Sequence, residues 1–256
     1  MIGSTLGRLF RVTVGGGSYQ EGLTIHLQGV PPGYVFTEED IYRELLLRKP
    51  GQGELSSPRR EPDIPVLYSG FNVADTMAGF ETKGRTNGTP LVILIPNLDR
   101  HFEHIEQYRS TNRTPRPGHA SYASYQKYGK YDDAIGAGFF SGRYTSTIVA
   151  AGAVAKRILA TQGIEVMGYV REAAGVRMND VPLQVIREKV AAFKEFRCKV
   201  DPVHTLVFKE KRLRPEMRFL EKMAVLAEIE KMVPSIKRSP LSEEEHAYLR
   251  DHGLHW

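Results

Sequence analysis

Apolar and polar side chains alternate from Leu9 to Val14 and again from Leu23 to Leu27, which is the period of a half-buried strand. Between them lie the consecutive glycines Gly15, Gly16 and Gly17, so the two runs read as a hairpin-type pair. The prolines of Gly29-Val30-Pro31-Pro32-Gly33 fix the backbone and remove amide donors, which predicts a tight turn. Thr37 then offers an N-cap oxygen, Glu38, Glu39 and Asp40 fill the positively polarised first turn, and Arg48 and Lys49 occupy the last. A helix is predicted from about Glu38 to Lys49. Pro50 to Asp63 is polar and rich in turn formers, and reads as a surface loop carrying arginines. Val66–Tyr68 and Leu91–Ile95 read as strands, the second apolar on both faces.

Asn97 to Ala120 lacks either period and reads as a long irregular segment that includes Arg100, His101, His104, Arg109, Arg113, Arg116 and His119. Ser141 to Gln162 is predicted helical, with Ala150, Ala151, Gly152, Ala153 and Ala155 making nearly every face small, and Gly163 stops it. Such a helix is expected at a protein's centre, packed on several sides. Ile164 to Val170 reads as a strand. Leu183, Ile186, Val190 and Phe193 form one helical stripe, and Leu220, Met223, Val225, Leu226 and Ile229 another. Ser242 with Glu245 predicts a capping box for a last helix ending near Gly253.

Composition narrows the class. The chain has 256 residues, enough for one large domain or two small ones. No repeat, low-complexity run or linker divides it, so one domain spanning 1–256 is the simpler reading, with Pro202 the weakest candidate boundary. The net charge of +5 suits a small anion as well as nucleic acid, but the basic residues are scattered over loops with no recognition motif. The single cysteine, Cys198, excludes an internal disulfide and a cysteine-based structural zinc site. A soluble protein of the reducing cytoplasm is expected, because MIGSTLGRLFRVTV has no signal-like apolar core and no later run has bilayer length.

Three constellations carry chemistry. The glycine loop can turn successive amides toward an anion or let a flat ring approach the main chain, though its spacing fits neither the dinucleotide fingerprint nor the P-loop, and a plain turn is the simpler reading. The loop cations Arg48, Lys49, Arg59, Arg60, Arg113, Arg116 and Arg143 would, if gathered, hold a multiply charged acid; singly, each reads as solvated surface. His119 in ArgProGlyHisAla, 116 to 120, is a candidate proton carrier or an ordinary hydrogen-bonded loop histidine. Tyr122, Tyr125 and Tyr128 either wall a flat cofactor or form one packed helix face. His101 and His104 lack the partners of a known zinc pattern.

Taken in order, several blocks resemble chorismate synthase. They are Phe10 to Thr13, GlyValProProGly at 29 to 33, LysProGlyGln at 49 to 52, SerSerProArgArgGluProAsp at 56 to 63, SerGly at 69 to 70, AsnGlyThrPro at 87 to 90 and AsnLeuAsp at 97 to 99. ArgProGlyHisAla at 116 to 120, GlnLysTyrGly at 126 to 129, Asp132, Ser141, Arg143, Thr145 and ValAlaAlaGlyAlaValAlaLys at 149 to 156 follow, over roughly residues 5 to 232, with 233–256 a divergent tail. The resemblance implies an α+β fold, a β-α-β sandwich of the chorismate synthase type that is incomplete at its C-terminus. It further implies a homotetramer using reduced FMN in the shikimate pathway of aromatic amino acid biosynthesis. The implied lyase reaction removes phosphate and a ring hydrogen from 5-enolpyruvylshikimate 3-phosphate to give chorismate without net redox change. His119 and Tyr19 then fall at the catalytic positions, Gly17, Ser18, Ser141 and Arg143 at cofactor positions, and Arg48, Lys49, Arg59 and Arg116 in the substrate's anion shell; no metal is implied.

The sequence also departs from the family pattern. Tyr19 stands where the family keeps a second histidine, and a phenol with a pKa of about 10 is a poor proton donor to reduced flavin. Glu54 replaces an arginine, Ser121 an aspartate, and PhePheSerGlyArgTyr at 139 to 144 an arginine-rich block. Later family segments that complete the flavin and substrate pockets are not found. Two expectations follow: an active synthase, alone or completed by a second chain, or a catalytically impaired relative acting as a flavin-binding, anion-binding or assembly partner.

Overall fold

The structure is a computed structural model that describes residues 4–50, 61–72, 84–99, 102–111, 114–177, 181–210, 212–213, 217–232 and 242–253. Strands β1 (Thr5–Leu6), β2 (Arg11–Gly16) and β3 (Gly22–Gln28) form the predicted hairpin and its outer edge. Helix α1 (Glu38–Arg48) follows. Strands β4 (Val66–Ser69) and β5 (Leu91–Pro96) then complete an antiparallel sheet of order β1-β2-β3-β5-β4. Its register puts Leu23, Ile25 and Leu27 opposite Ile95, Ile93 and Leu91, with Val12 and Val14 opposite Leu27 and Ile25. All of them lie on one buried face. Each fully buried side chain of this kind contributes about 1.5–3 kcal/mol.

Helix α1 forms where its cap predicts. The Thr37 hydroxyl accepts from the Asp40 N–H at 3.3 Å and the Asp40 carboxylate accepts from the Thr37 N–H at 2.8 Å, a capping box. Helices α2 (Phe102–Thr111) and α3 (Ser121–Tyr128) lead to α4 (Thr145–Ala160), which packs beside α1 on the sheet through Ala150, Ala151 and Val154. A short hairpin, β6 (Glu172–Ala173) and β7 (Val176–Arg177), precedes α5 (Leu183–Val200), the turn α6 (Pro202–His204) and α7 (Phe219–Met232). Leu226 and Ile229 of α7, with Val203 and Val207, form a second apolar cluster with Tyr42, Leu46 and Val66. Helix α8 (Glu243–Asp251) carries the predicted Ser242–Glu245 capping box. No helix among the described residues is long and apolar enough to cross a membrane.

Four expectations are corrected. The segment 97–120 is not irregular throughout: α2 occupies its middle, and Ile105 and Tyr108 are the partly buried positions among its residues with described side chains. Helix α4 buries one face rather than all; Gly152 and Ala153 are half-buried and Ile148 is exposed. Ile164 to Val170 pairs with no strand among the described residues. In α7, Leu220 points to solvent while Lys222 is buried, because its ammonium meets the buried Glu38 carboxylate of α1.

A second polar network sits between α1 and the α5–α6 corner. Lys49 donates to Asp201 Oδ2 at 2.6 Å and to the Tyr42 hydroxyl at 3.0 Å, and Tyr42 donates to Asp201 Oδ1 at 3.1 Å. The His204 N–H caps the same carboxylate at 2.7 Å. Burial alone would raise the Asp201 carboxyl, but the Lys49 charge and hydrogen bond, with the His204 N–H and Arg197, hold it below its ordinary value. Burial first, and then the neighbouring Asp201, push the Tyr42 phenol well up, so it remains a donor. The folded-state pKa of Asp201 therefore lies below the unfolded one of about 3.9, so its contribution is complete above that pH and is lost as the pH falls through the folded value. Asp201→Asn is expected to lower stability by about 3 kcal/mol at neutral pH, since Lys49 loses its buried counter-charge, and the deficit should shrink below about pH 4. Urea unfolding followed by circular dichroism across that range checks this; a deficit that does not vary with pH would contradict it.

Candidate functional site

The site is built around the glycine loop. At Gly16 φ is +96°, and a Cβ there would sit 2.2 Å from the Gly22 carbonyl oxygen, so only glycine allows the chain to turn between β2 and β3. The loop is closed by the Gln20 N–H donating to the Gly17 carbonyl at 3.2 Å. Asn97, at the end of β5, donates its side-chain amide to the carbonyls of Gly17 at 2.9 Å and Gln20 at 2.7 Å. Gly17 and Ser18 are thereby buried.

A second turn lies against the loop. Gly136, Ala137 and Gly138 all take positive φ, +59°, +68° and +47°. The Ser18 N–H reaches the Gly138 carbonyl at 3.4 Å, and the Gln20 amide donates to Asp133 at 2.9 Å. The Tyr19 ring lies on Gly136, where a Cβ would come within 2.4 Å of it. The same ring meets Tyr108 edge-on at 5.6 Å between centroids, and the Arg116 guanidinium sits 5.3 Å from the Tyr108 ring.

His119 accepts from the Ser121 N–H through Nδ1 at 3.0 Å, and its Nε2 faces the Phe140 carbonyl at 3.2 Å. A carbonyl can only accept, so the proton is assigned to Nε2. Ser141 caps the following turn by accepting from the Arg143 N–H at 3.3 Å. Arg143 is buried and fully engaged: Nε donates to Asn97 Oδ1 at 2.7 Å, one terminal nitrogen pairs with Asp63, and the other lies 3.5 Å from Glu61. Asp63 also accepts from Arg48 at 2.7 Å, so one carboxylate bridges two arginines. Beside them, burial pushes the Tyr144 phenol up to about 12, and its hydroxyl has no hydrogen-bond partner among the described residues.

Of the residues singled out in the sequence, Gly17, Ser18, Tyr19, His119, Ser141 and Arg143 thus belong to one continuous cluster. Arg48 joins it through Asp63, and Arg116 through Tyr108. Lys49 does not join: it turns to Asp201 at the far flank of α1. Arg59, Arg60, Arg100, His101, Arg113 and Glu54 lie outside the described residues. The gathering of bare cations is also corrected, because the guanidinium of Arg143 is compensated by Asp63 and Glu61. The joint that sequence reasoning missed is Asn97, which ties the arginine to the glycine loop; it lies in the AsnLeuAsp block, but nothing local to that block indicates its partners.

Between α2, α3 and the Gly136 turn opens a cleft of about 350 Å³ lined by Tyr108, Pro115, Arg116, Tyr125, Asp132 and Ala137. Tyr125 of α3 and Arg116 of the ArgProGlyHisAla loop both line it, and Tyr122 is exposed, so the three tyrosines of α3 do not form one packed face.

Residues 10–235 match the family model described as Chorismate synthase. A chorismate synthase of Acetivibrio thermocellus is 39% identical over 194 residues, 70% of this chain and 47% of the relative. That of Ignicoccus hospitalis is 39% identical over 201 residues, 77% of this chain and 49% of the relative. That of Aeropyrum pernix is 41% identical over 178 residues, 70% and 43% respectively. A crystal structure of chorismate synthase superposes with a TM-score of 0.45 at 20% identity, covering 90% of this chain and 55% of that one. The chain spans about half the length of the curated relatives it matches. With the family model covering most of its residues, the chain belongs to the chorismate synthase family.

Proposed function

We propose that this protein takes part in forming chorismate, by eliminating phosphate and a ring hydrogen from 5-enolpyruvylshikimate 3-phosphate with reduced FMN as cofactor. The main support is that blocks far apart in the chain, the glycine loop, Asn97, the His119 loop and the Ser141–Arg143 turn, close into one hydrogen-bonded cluster. A small anionic substrate, a cytoplasmic setting and a homo-oligomer belong to the same proposal.

The residues present fit a flat, phosphate-bearing cofactor. The cleft volume of about 350 Å³ lies within the range of small-molecule sites, roughly 300–1,000 Å³. Tyr108 and Tyr125 would wall a ring, Arg116 would meet a phosphate, and the positive-φ turn would bring Ala137 against the ring. Reduced FMN, when bound, supplies an electron-rich ring without net redox change. His119 would move a proton at Nε2, and Arg48, the more exposed end of the Asp63 bridge, would meet a substrate anion. Arg143 would act as a positioning residue through Asn97.

A second reading, a flavin-binding or anion-binding relative without turnover, is favoured by Tyr19, whose ring is packed between Gly136 and Tyr108 where the family pattern has a histidine. Titrating the purified protein with FMN, with and without the phosphorylated substrate, and then assaying chorismate under reducing conditions separates the two. Saturable flavin binding is expected. Arg116→Ala should weaken FMN about tenfold and leave riboflavin, which has no phosphate, unchanged. Tyr19→His should raise turnover without altering flavin affinity. Binding without product would establish the second reading, and neither binding nor product would sink both.

A further inference from the structure

Helices α1, α4 and α5 enclose, with residues 163–167, a second cleft of about 490 Å³ that shares no lining residue with the one at Arg116. Glu44 of α1, its side chain 15% exposed, accepts from Lys156 of α4 at 3.0 Å and also from Lys194 of α5, so two ammoniums flank one carboxylate. Burial alone would raise the Glu44 carboxyl, but the two lysines hold it below its ordinary value, and it stays ionised at neutral pH. Each ammonium has three donors and gives one to Glu44, which leaves two on each, and both lysines line the cleft. Glu165 and Arg187, also on the lining, pair with each other at 2.7 Å and cancel. Three lining cations against two lining carboxylates leave one positive charge over. The remaining wall is apolar, and half of it is wet: Ile164 is 50% exposed and Val166 49%.

The geometry points to a second ligand site, in which the carboxylate of a small monoacid lies across Lys156 and Lys194 and its apolar body covers Ile164, Val166 and Val190. The volume is within the range of small-molecule sites, roughly 300–1,000 Å³. The charge balance selects a monoanion: one carboxylate neutralises the cleft, whereas a phosphate dianion would leave an unmatched negative charge beside Glu44. The walls select an apolar body, because covering half-exposed apolar surface contributes about 25 cal/mol per Å² removed from water. Charge-assisted hydrogen bonds from both lysines then fix its orientation. The site rests on α1, α4 and α5 and is independent of the cofactor and of the reaction proposed above.

The test titrates the whole protein with 3-phenylpropanoate and, separately, with hexanoate, by calorimetry and by amide NMR shifts. Saturable binding of at least one is expected, with shifts centred on residues 160–167 and 187–194; whichever binds tighter tells whether the body is aryl or linear acyl. The neutral 3-phenylpropanamide should bind at least about tenfold more weakly. Lys156→Met or Lys194→Met should each weaken the acid about tenfold, and each leaves Glu44 one lysine, so the fold is kept. Glu44→Gln should instead tighten it severalfold, because a competing carboxylate is removed from both ammoniums; a purely structural role for Glu44 would not give that gain. Ala191→Trp, at an exposed position of α5 on the lining, should block the cleft while leaving circular dichroism native. No saturable binding of either acid, equal binding of the amide, indifference to the lysine changes, weakening by Glu44→Gln, or shifts centred on Tyr108 and Arg116 would each overturn the inference.

Discussion

Replacing Arg143 with methionine is expected to destabilise the protein by about 3–5 kcal/mol, the cost of withdrawing a buried guanidinium shared by two buried carboxylates. Asp63 and Glu61 are both fully buried, and among the described residues Arg143 is the cation that reaches each of them. Among the described acids Arg48 pairs with Asp63 and not with Glu61, from a side chain that is 20% exposed, so it does not replace Arg143 at both. Arg143→Lys should fall between the two, at about 1–3 kcal/mol, because an ammonium keeps the charge but cannot serve Asn97 and two carboxylates from one planar fork. Beyond stability, the loss should loosen the glycine loop, since Asn97 Oδ1 loses its donor while its amide holds Gly17 and Gln20. Urea unfolding gives the energy, and amide exchange at Gly17 to Gln20 gives the local effect. An Arg143→Met protein within about 1 kcal/mol of the parent would show that the carboxylates are not paired as described.

The second large effect concerns the Glu38–Lys222 pair. Both side chains are only 2% exposed, and Glu38 also accepts from the Leu67 N–H at 3.4 Å, so the pair clamps α1 to α7 and to β4. Lys222→Ala should cost about 3–5 kcal/mol, again because a carboxylate is stranded in the interior. Changing both partners, Glu38→Gln with Lys222→Met, should recover most of that loss: the amide can still accept from Leu67, and a thioether chain fills the space of the lysine stem. The contrast between single and double variants is the diagnostic measurement. If the double variant were as unstable as the single one, packing rather than charge would be the source of the effect.

These two pairs mark where reading the sequence stops. The hairpin, α1, β4, β5 and the capped α8 are legible because their causes are local: an alternating period, a Thr37 or Ser242 oxygen three residues from the N–H it accepts, glycines where a side chain would collide. The first-turn position of Glu38 is legible too, but locally it signals only a charge placed against the helix dipole. Its burial depends on Lys222, 184 residues away. Helix α2 escapes a sequence reading because its apolar residues are few among polar and charged ones, and α4 invites too many buried faces because small residues permit close packing without requiring it.

The candidate site divides in the same way. Its residue types and their order are plain in the sequence, and so is the family likeness they carry. What the sequence alone determined is local: which segments become strands and helices, where the chain must turn, and which chemical groups are available. Only the tertiary structure decided their charge partners. It sent the neighbours Arg48 and Lys49 in opposite directions, to Asp63 and to Asp201, and neutralised Arg143 with two acids from a distant loop. The physical reason is that a buried charge is governed by whatever packs against it, and that depends on the folding of the whole chain rather than on the spacing of any one segment.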